Sequence, residues 1–265
     1  MKRALIVTLA LLLLAFFFPA AGEQEEEMLV CEGYEYCILE DGTAEIMRYQ
    51  EPVEFLEIPD KLDGLAVTSI GDGAFTGCEN LKGIAIPDSV TSVGYNPFDL
   101  CTSLSQVTVH PDHPALAIID GVLFSKEDER LVWYPMTKED TAYEIPRGTL
   151  MIGGGAFSGC ENLRSVTIPD SVISIGLFAF VMCNHLSGIT LPDSVTSIDS
   201  YAFSWCENLN SITIPDSVAS IGADVFYGCK NLKEVIVTPD SYAQKYCEEH
   251  GLPFVYQENT DWLNN

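Results

Sequence analysis
The sequence predicts a mainly β repeat solenoid, and three observations carry that prediction. A block of 23 residues recurs with almost no drift; Phe, Cys and Leu hold fixed places within it; and each block carries a short alternating strand followed by turn residues. The register reads Phe157, Cys160, Leu163, then Phe180, Cys183, Leu186, then Phe203, Cys206, Leu209, then Phe226, Cys229, Leu232. Two earlier blocks keep the spacing, with Phe75, Cys78, Leu81 and Phe98, Cys101, Leu104. A unit this small cannot bury its apolar face alone, so neighbouring units must stack and share one long core.

The chain opens on a targeting pattern. Lys2 and Arg3 precede an apolar run from Ala4 to Phe18 and the small residues Ala20, Ala21 and Gly22, so residues 1–22 are expected to be a signal peptide cleaved after Gly22. The run is shorter than the ~20 residues a spanning helix needs, and no membrane span is expected once it is removed. Residues 23–57 then form an N-terminal cap, in which Tyr34 to Met47 reads as a hairpin turning at Asp41-Gly42.

Residues 58–239 are the solenoid. In the block from Asn162 to Gly176, Leu163, Val166 and Ile168 point inward, Val166-Thr167-Ile168 is the strand, and Pro169-Asp170-Ser171 supplies the turn. The Asp and Ser are expected to bond within their own turn. Val172 and Ile175 begin the return leg, and Gly176 allows the bend. The period breaks once, over residues 110–145, where Ala117–Phe124 and Arg130–Pro135 read as two strands joined by the charged turn 125–129. Such insertions project from one face and often carry binding, which makes Trp133 and Tyr134 candidate contact residues, with packing on the coil below as the other and favoured reading. Residues 240–265 are a C-terminal cap and tail, with a short helix between Asp240 or Ser241 and Gly251 and a last edge strand over 252–256.

The formal charge of −26 becomes −28 once Lys2 and Arg3 are lost, with 11 basic side chains against 39 acidic ones. Nucleic acid and anionic lipid head groups are therefore excluded as partners. Six of the nine cysteines (Cys78, Cys101, Cys160, Cys183, Cys206 and Cys229) share one phase of the repeat, so a column of buried thiols is expected in place of a disulfide framework. Phe75, Phe98, Phe157, Phe180, Phe203 and Phe226 form the parallel aromatic column. Cys31 and Cys37 could pair with each other, and Cys247 has no assigned role.

No catalytic constellation, resident metal site or cofactor site emerges. His110-Pro-Asp-His113 has ligand types at close spacing but no helical pattern, Cys183 near His185 belongs to the thiol column, and Gly153-Gly154-Gly155 falls at the bend that every block makes. Two periodic surfaces are candidates for binding. One is the outward strand row, from which Arg164, Thr167, Thr190, Asn210 and Thr213 are singled out as small, mild positions suited to a shallow protein contact. The other is the turn row Asp88, Asp170, Asp193 and Asp216, whose like charges leave weak calcium binding as an expectation.

With Ile-Pro-Asp-Ser-Val-x-x-Ile, Gly, Ala-Phe and Cys-x-x-Leu in place, the chain resembles the BspA-like family of bacterial leucine-rich-repeat proteins over about residues 34–256. The Ile119–Leu123 segment and the Ser-Tyr-Ala-x-x-Tyr cap add to the resemblance. It implies a right-handed leucine-rich-repeat superhelix, an exported or cell-surface location, and adhesion to or recognition of host or neighbouring-cell proteins without enzymatic chemistry. A structural, self-associating matrix role is the alternative. Asn96-Pro97-Phe98 and Asp199 depart from the family pattern, and no surface anchor follows the repeats, which puts attachment to the cell in question.

Overall fold
The computed structural model describes residues 28–258, so the expected signal peptide lies outside the described residues. The N-terminal strands are β1 (Leu29–Cys31), β2 (Tyr34–Ile38) and β3 (Ala44–Tyr49), followed by β4 (Phe55–Glu57), β5 (Lys61–Leu62), β6 (Leu65–Ile70), β7 (Gly83–Ala85), β8 (Ser92–Val93) and β9 (Gln106–Thr108). The insertion adds β10 (Leu116–Ile119), β11 (Val122–Ser125) and β12 (Arg130–Trp133). Beyond it run β13 (Ala142–Glu144), β14 (Met151–Ile152), β15 (Ser165–Thr167), β16 (Ser174–Ile175), β17 (Gly188–Thr190), β18 (Ser197–Ile198), β19 (Ser211–Thr213), β20 (Ser220–Ile221) and β21 (Glu234–Val237). Helix α1 (Tyr242–His250) and β22 (Phe254–Tyr256) end the fold.

Pairing runs between coils, as stacking requires. On the front face β4-β7-β9, β13-β15 and β17-β19-β21-β22 are parallel ladders; on the back β10-β11-β12-β14-β16-β18-β20 form one sheet and β1-β2-β3-β6-β5, with β8, another. Successive coils pair like with like, for example Ile189 beside Ile212 and Ile198 beside Ile221. The turns after β7, β15, β17 and β19 close by a bond from the Val N–H to the Pro carbonyl, as in Val172 to Pro169 (3.1 Å). The serine of that turn does not bond within it. Ser171, Ser194 and Ser217 donate to Thr149 O, Val172 O and Val195 O of the preceding coil, at 2.7–2.8 Å. Local bonding by Ser was the sequence expectation; the stacked carbonyl wins because it lies directly below and has a free lone pair.

The aromatic column runs in two segments that end on opposite sides of the insertion, so the single long core expected from the repeat is divided into two. Tyr34, Tyr49, Phe75 and Phe98 lead to Trp133, and Tyr134 leads on through Phe157, Phe180, Phe203 and Phe226 to Tyr246 of α1. Each column Cys donates its Sγ to the carbonyl of the column aromatic one coil before, as Cys183 to Phe157 O (3.1 Å) and Cys206 to Phe180 O (3.0 Å). None of the nine cysteines is in a disulfide. The suggested Cys31–Cys37 bridge is absent because the two diverge: Cys31 stands opposite Tyr34 and meets Asp63, whereas Cys37 reaches toward Glu45. Cys247 is buried on α1 against the last coil.

The insertion differs from its sequence reading. Ala117–Phe124 is not one strand; it reverses at Asp120-Gly121, both with positive φ (50° and 80°), to give the antiparallel hairpin β10–β11. An Asp-Gly pair supplies the left-handed backbone that such a turn requires. β11 then pairs with β12, which joins the back sheet through β14. Leu123, Val132 and Trp133 pack with the N-terminal core, and Val122, Phe124, Leu131 and Tyr134 with the C-terminal one. The hairpin is therefore a layer inside the stack.

Helix α1 is capped at both ends. Ser241 accepts from Gln244 N (3.1 Å), and Gly251 adopts φ 64° and bonds the last carbonyls.

Candidate binding face
Trp133 and Tyr134 leave the list of contact residues, because they are only 5% and 2% exposed. Adjacent strand residues point to opposite sides. Trp133 meets Phe98 edge to face at 5.5 Å, and Tyr134 meets Phe157 at 5.2 Å, so the pair fills the aromatic column where the insertion crosses it. The Tyr134 hydroxyl is buried without a hydrogen-bond partner, and burial pushes its pKa up.

The front-face row is where the structure gathers the other candidates. Thr190 pairs with Thr213 and Thr213 with Ile236, while Glu144 pairs with Thr167. Thr167 and Thr190 are exposed and Thr213 is half-buried. All three line a shallow groove of about 540 Å3 with Gly188, Ser211 and Ile236. Arg164 and Asn210 lie outside that lining, one residue before their strands, where Arg164 O accepts from Ser187 N (3.3 Å) and Asn210 N donates to Ser187 O (2.9 Å). The groove has a backbone cause. Ile145 N–H bonds Thr167 O (3.0 Å) and Leu191 N–H bonds Thr213 O (3.1 Å), but the matching bond between Ile168 and Thr190 is missing, and Gly188 contributes no side chain to the gap.

The remaining polar candidates are occupied structurally. His113 is fully buried; its Nδ1 accepts from Ala115 N and Leu116 N, and its Nε2 meets Pro87 O at 3.0 Å. His110 Nδ1 accepts from Asp112 N (3.2 Å). Among the described residues no group of three or more His, Cys, Asp or Glu side chains is placed to hold a metal ion, and the turn-row aspartates are exposed singly. Calcium binding has no support in this geometry. Desolvation raises the Cys160, Cys183 and Cys206 thiols above their ordinary range, which keeps them protonated and unreactive.

Sequence reasoning missed two stabilising devices. Asn162, Asn208 and Asn231 each donate Nδ2 to a carbonyl 24 residues earlier, at 2.7–2.8 Å; their recurrence at one phase was the available signal. Arg130 has no repeat counterpart. Its guanidinium bonds Val93 O (2.6 Å) and Gly94 O (3.5 Å) and stands 5.6 Å from the Tyr95 ring centre, closing the back-face seam between β8 and β12.

Six repeat copies match the BspA-type leucine-rich-repeat region over residues 48–129 and 136–247. The chain belongs to that family. No curated protein matches it. Among solved structures, the pneumococcal vaccine antigen PcpA is similar at 19% identity and TM-score 0.58, over 81% of this chain and 82% of that one. A leucine-rich cell-surface protein of Faecalibacterium prausnitzii aligns at 21% identity and TM-score 0.47, over 86% and 98%. The first likeness supports the leucine-rich-repeat fold. No described helix is long and apolar enough to cross a membrane.

Proposed function
We propose that this protein is a non-enzymatic recognition module, exported to or beyond the bacterial cell surface, that binds a partner protein through the front-face row around Thr167, Thr190 and Thr213. The observation that carries the reading is that row itself: short hydroxyl side chains along an open groove, Thr190 and Thr213 paired at strand spacing of ~4.8 Å and Thr167 across the unpaired step from β15 to β17. Membership of a bacterial leucine-rich-repeat family supports it. A broad, shallow face of this kind suits a protein surface better than a small molecule. Arg164 and Asn210 extend the contact on one flank.

The test is quantitative capture from host and microbial lysates by wild type and by a Thr167→Lys, Thr190→Lys, Thr213→Lys variant. The proposal expects partner bands lost from the variant with an unchanged melting temperature. Equal capture by both proteins contradicts it.

Self-association into an extracellular matrix is a second reading, favoured by one observation. Among the described residues β22 pairs only with β21, and Val255 and Tyr256 are 43% and 52% exposed at that sheet edge. Sedimentation over a hundredfold concentration range decides it: association abolished by Val255→Lys supports the matrix role, and a monomer throughout removes it.

A further inference from the structure
The insertion interrupts both faces of the solenoid, and the two interruptions are treated differently. On the back, Arg130 fills the seam and bonds the Val93 and Gly94 carbonyls. On the front, among the described residues, β9 pairs with β7 alone and β13 with β15 alone, so between β9 and β13 the hairpin layer separates two sheet edges. A groove of about 280 Å3 runs along β9 there, lined by residues 105–109 with Ile118 and Gly121.

The groove follows a row of main-chain groups. Gln106 N–H bonds Lys82 O and Thr108 O accepts from Ile86 N, so alternate residues of β9 are turned down toward β7. In a parallel ladder the residue between them turns both of its groups the other way. Val107 therefore presents its N–H and C=O to the groove, and among the described residues no bond to them from that side is present. An open strand edge is a template for another extended chain. Its volume lies at the lower limit of the ~300–1,000 Å3 of small-molecule sites, and a stretch of strand is a better fit than a drug-like ligand.

Charge selects the guest. Glu57 lies in register with Thr108 through Ala85, and Asp120 precedes Gly121 of the lining; both are exposed. The nearby cations are already tied, Lys82 to Glu54 (3.0 Å) and Lys138 to Asp140 (2.9 Å) and the Asp120 carbonyl (3.0 Å). We propose that this slot takes an extended basic segment of a partner protein, which adds as a strand to the free edge of β9. This deepens the recognition reading by naming a main-chain mode of binding. It is separable from that reading, because the threonine row lies on β15, β17 and β19.

The test uses the whole protein and a fluorescein-labelled hexapeptide of alternating lysine and valine. Two further peptides carry N-methyl groups on every second amide, one in each phase. Anisotropy should show binding that weakens as salt rises, weakens again in a Glu57→Lys, Asp120→Asn variant, and falls about tenfold or more for one N-methyl phase. Hydrogen exchange should find the Val107 amide fast in the free protein and slowed by the peptide. Four results overturn the proposal: a Val107 amide already protected in the monomer, no binding at millimolar peptide, equal binding of all three peptides, or protection that appears only as protein concentration rises, which assigns the edge to a second copy of this chain. Failure here leaves the threonine-row variant free to succeed in capture.

Discussion

The two halves of the aromatic column are built from the same unit but pack differently. Beyond the hairpin, Phe157, Phe180, Phe203 and Phe226 stack almost flat, with interplanar angles of 3°, 5° and 13° and centroids 4.9–6.0 Å apart. Before it, the successive pairs from Tyr34 to Phe98 tilt by 40°, 50° and 28°. Identical coils place identical rings one above another at one orientation, whereas Tyr34 and Tyr49 come from a cap with its own geometry. The flatness of a stack thus reports how faithfully the repeat is kept. Trp133 and Tyr134 join the halves at angles of 73° and 33° to their neighbours.

The largest effect that tests this contrast is removal of one ring from each half. Phe180 is fully buried between two nearly parallel rings, and Phe180→Ala should cost about 3–5 kcal/mol. Phe98→Ala should cost less within that range, because its irregular surroundings can close on the cavity. Chemical denaturation measures both, and a smaller loss for Phe180→Ala breaks the comparison. Next comes a backbone position in the regular half. Gly228 has φ 77°, and a Cβ there would lie 2.7 Å from the Trp205 ring, so Gly228→Ala should cost about 2 kcal/mol or more. Gly42, with φ 81° and open space around it, should cost about 1 kcal/mol on the same change. Equal losses would show that the ring gives way freely.

At the junction, Tyr134→Phe removes a buried hydroxyl that has no partner, and should raise stability by about 1 kcal/mol. A loss instead would mean that the hydroxyl is satisfied in solution. The smallest effect concerns the thiols of the C-terminal half. Burial pushes Cys229 up to about 12 and Cys247 up to about 11, from an ordinary value near 9.0. The folded chain then holds these protons more tightly than the unfolded one, so their contribution is complete below about pH 9 and is lost as pH rises through 11 to 12. A melting temperature flat from pH 7 to 9 and falling above it is the expected profile; a fall already below pH 8 contradicts it.

Most of the fold was legible because it is periodic. The Phe and Cys columns, the Asp41-Gly42 hairpin and the helix ending at Gly251 follow from spacing and local turn chemistry. The insertion was harder, since Ala117–Phe124 has the length of one strand and its apolar content hid the Asp120-Gly121 turn. Tyr134 carried a usable signal: it lies 23 residues before Phe157 and so occupies the buried aromatic phase. The threonine row was readable from strand alternation. The β9 edge was not, because it depends on which strands fail to pair across the hairpin layer.

Calorimetry of wild type and Trp133→Ala tests the central claim most directly, that the hairpin layer packs on a core on each side of it and so couples the two halves. The account predicts a single transition for wild type and two for the variant, with the N-terminal half melting first because Phe98 loses its neighbour across the junction. A single, unshifted transition in the variant would contradict it.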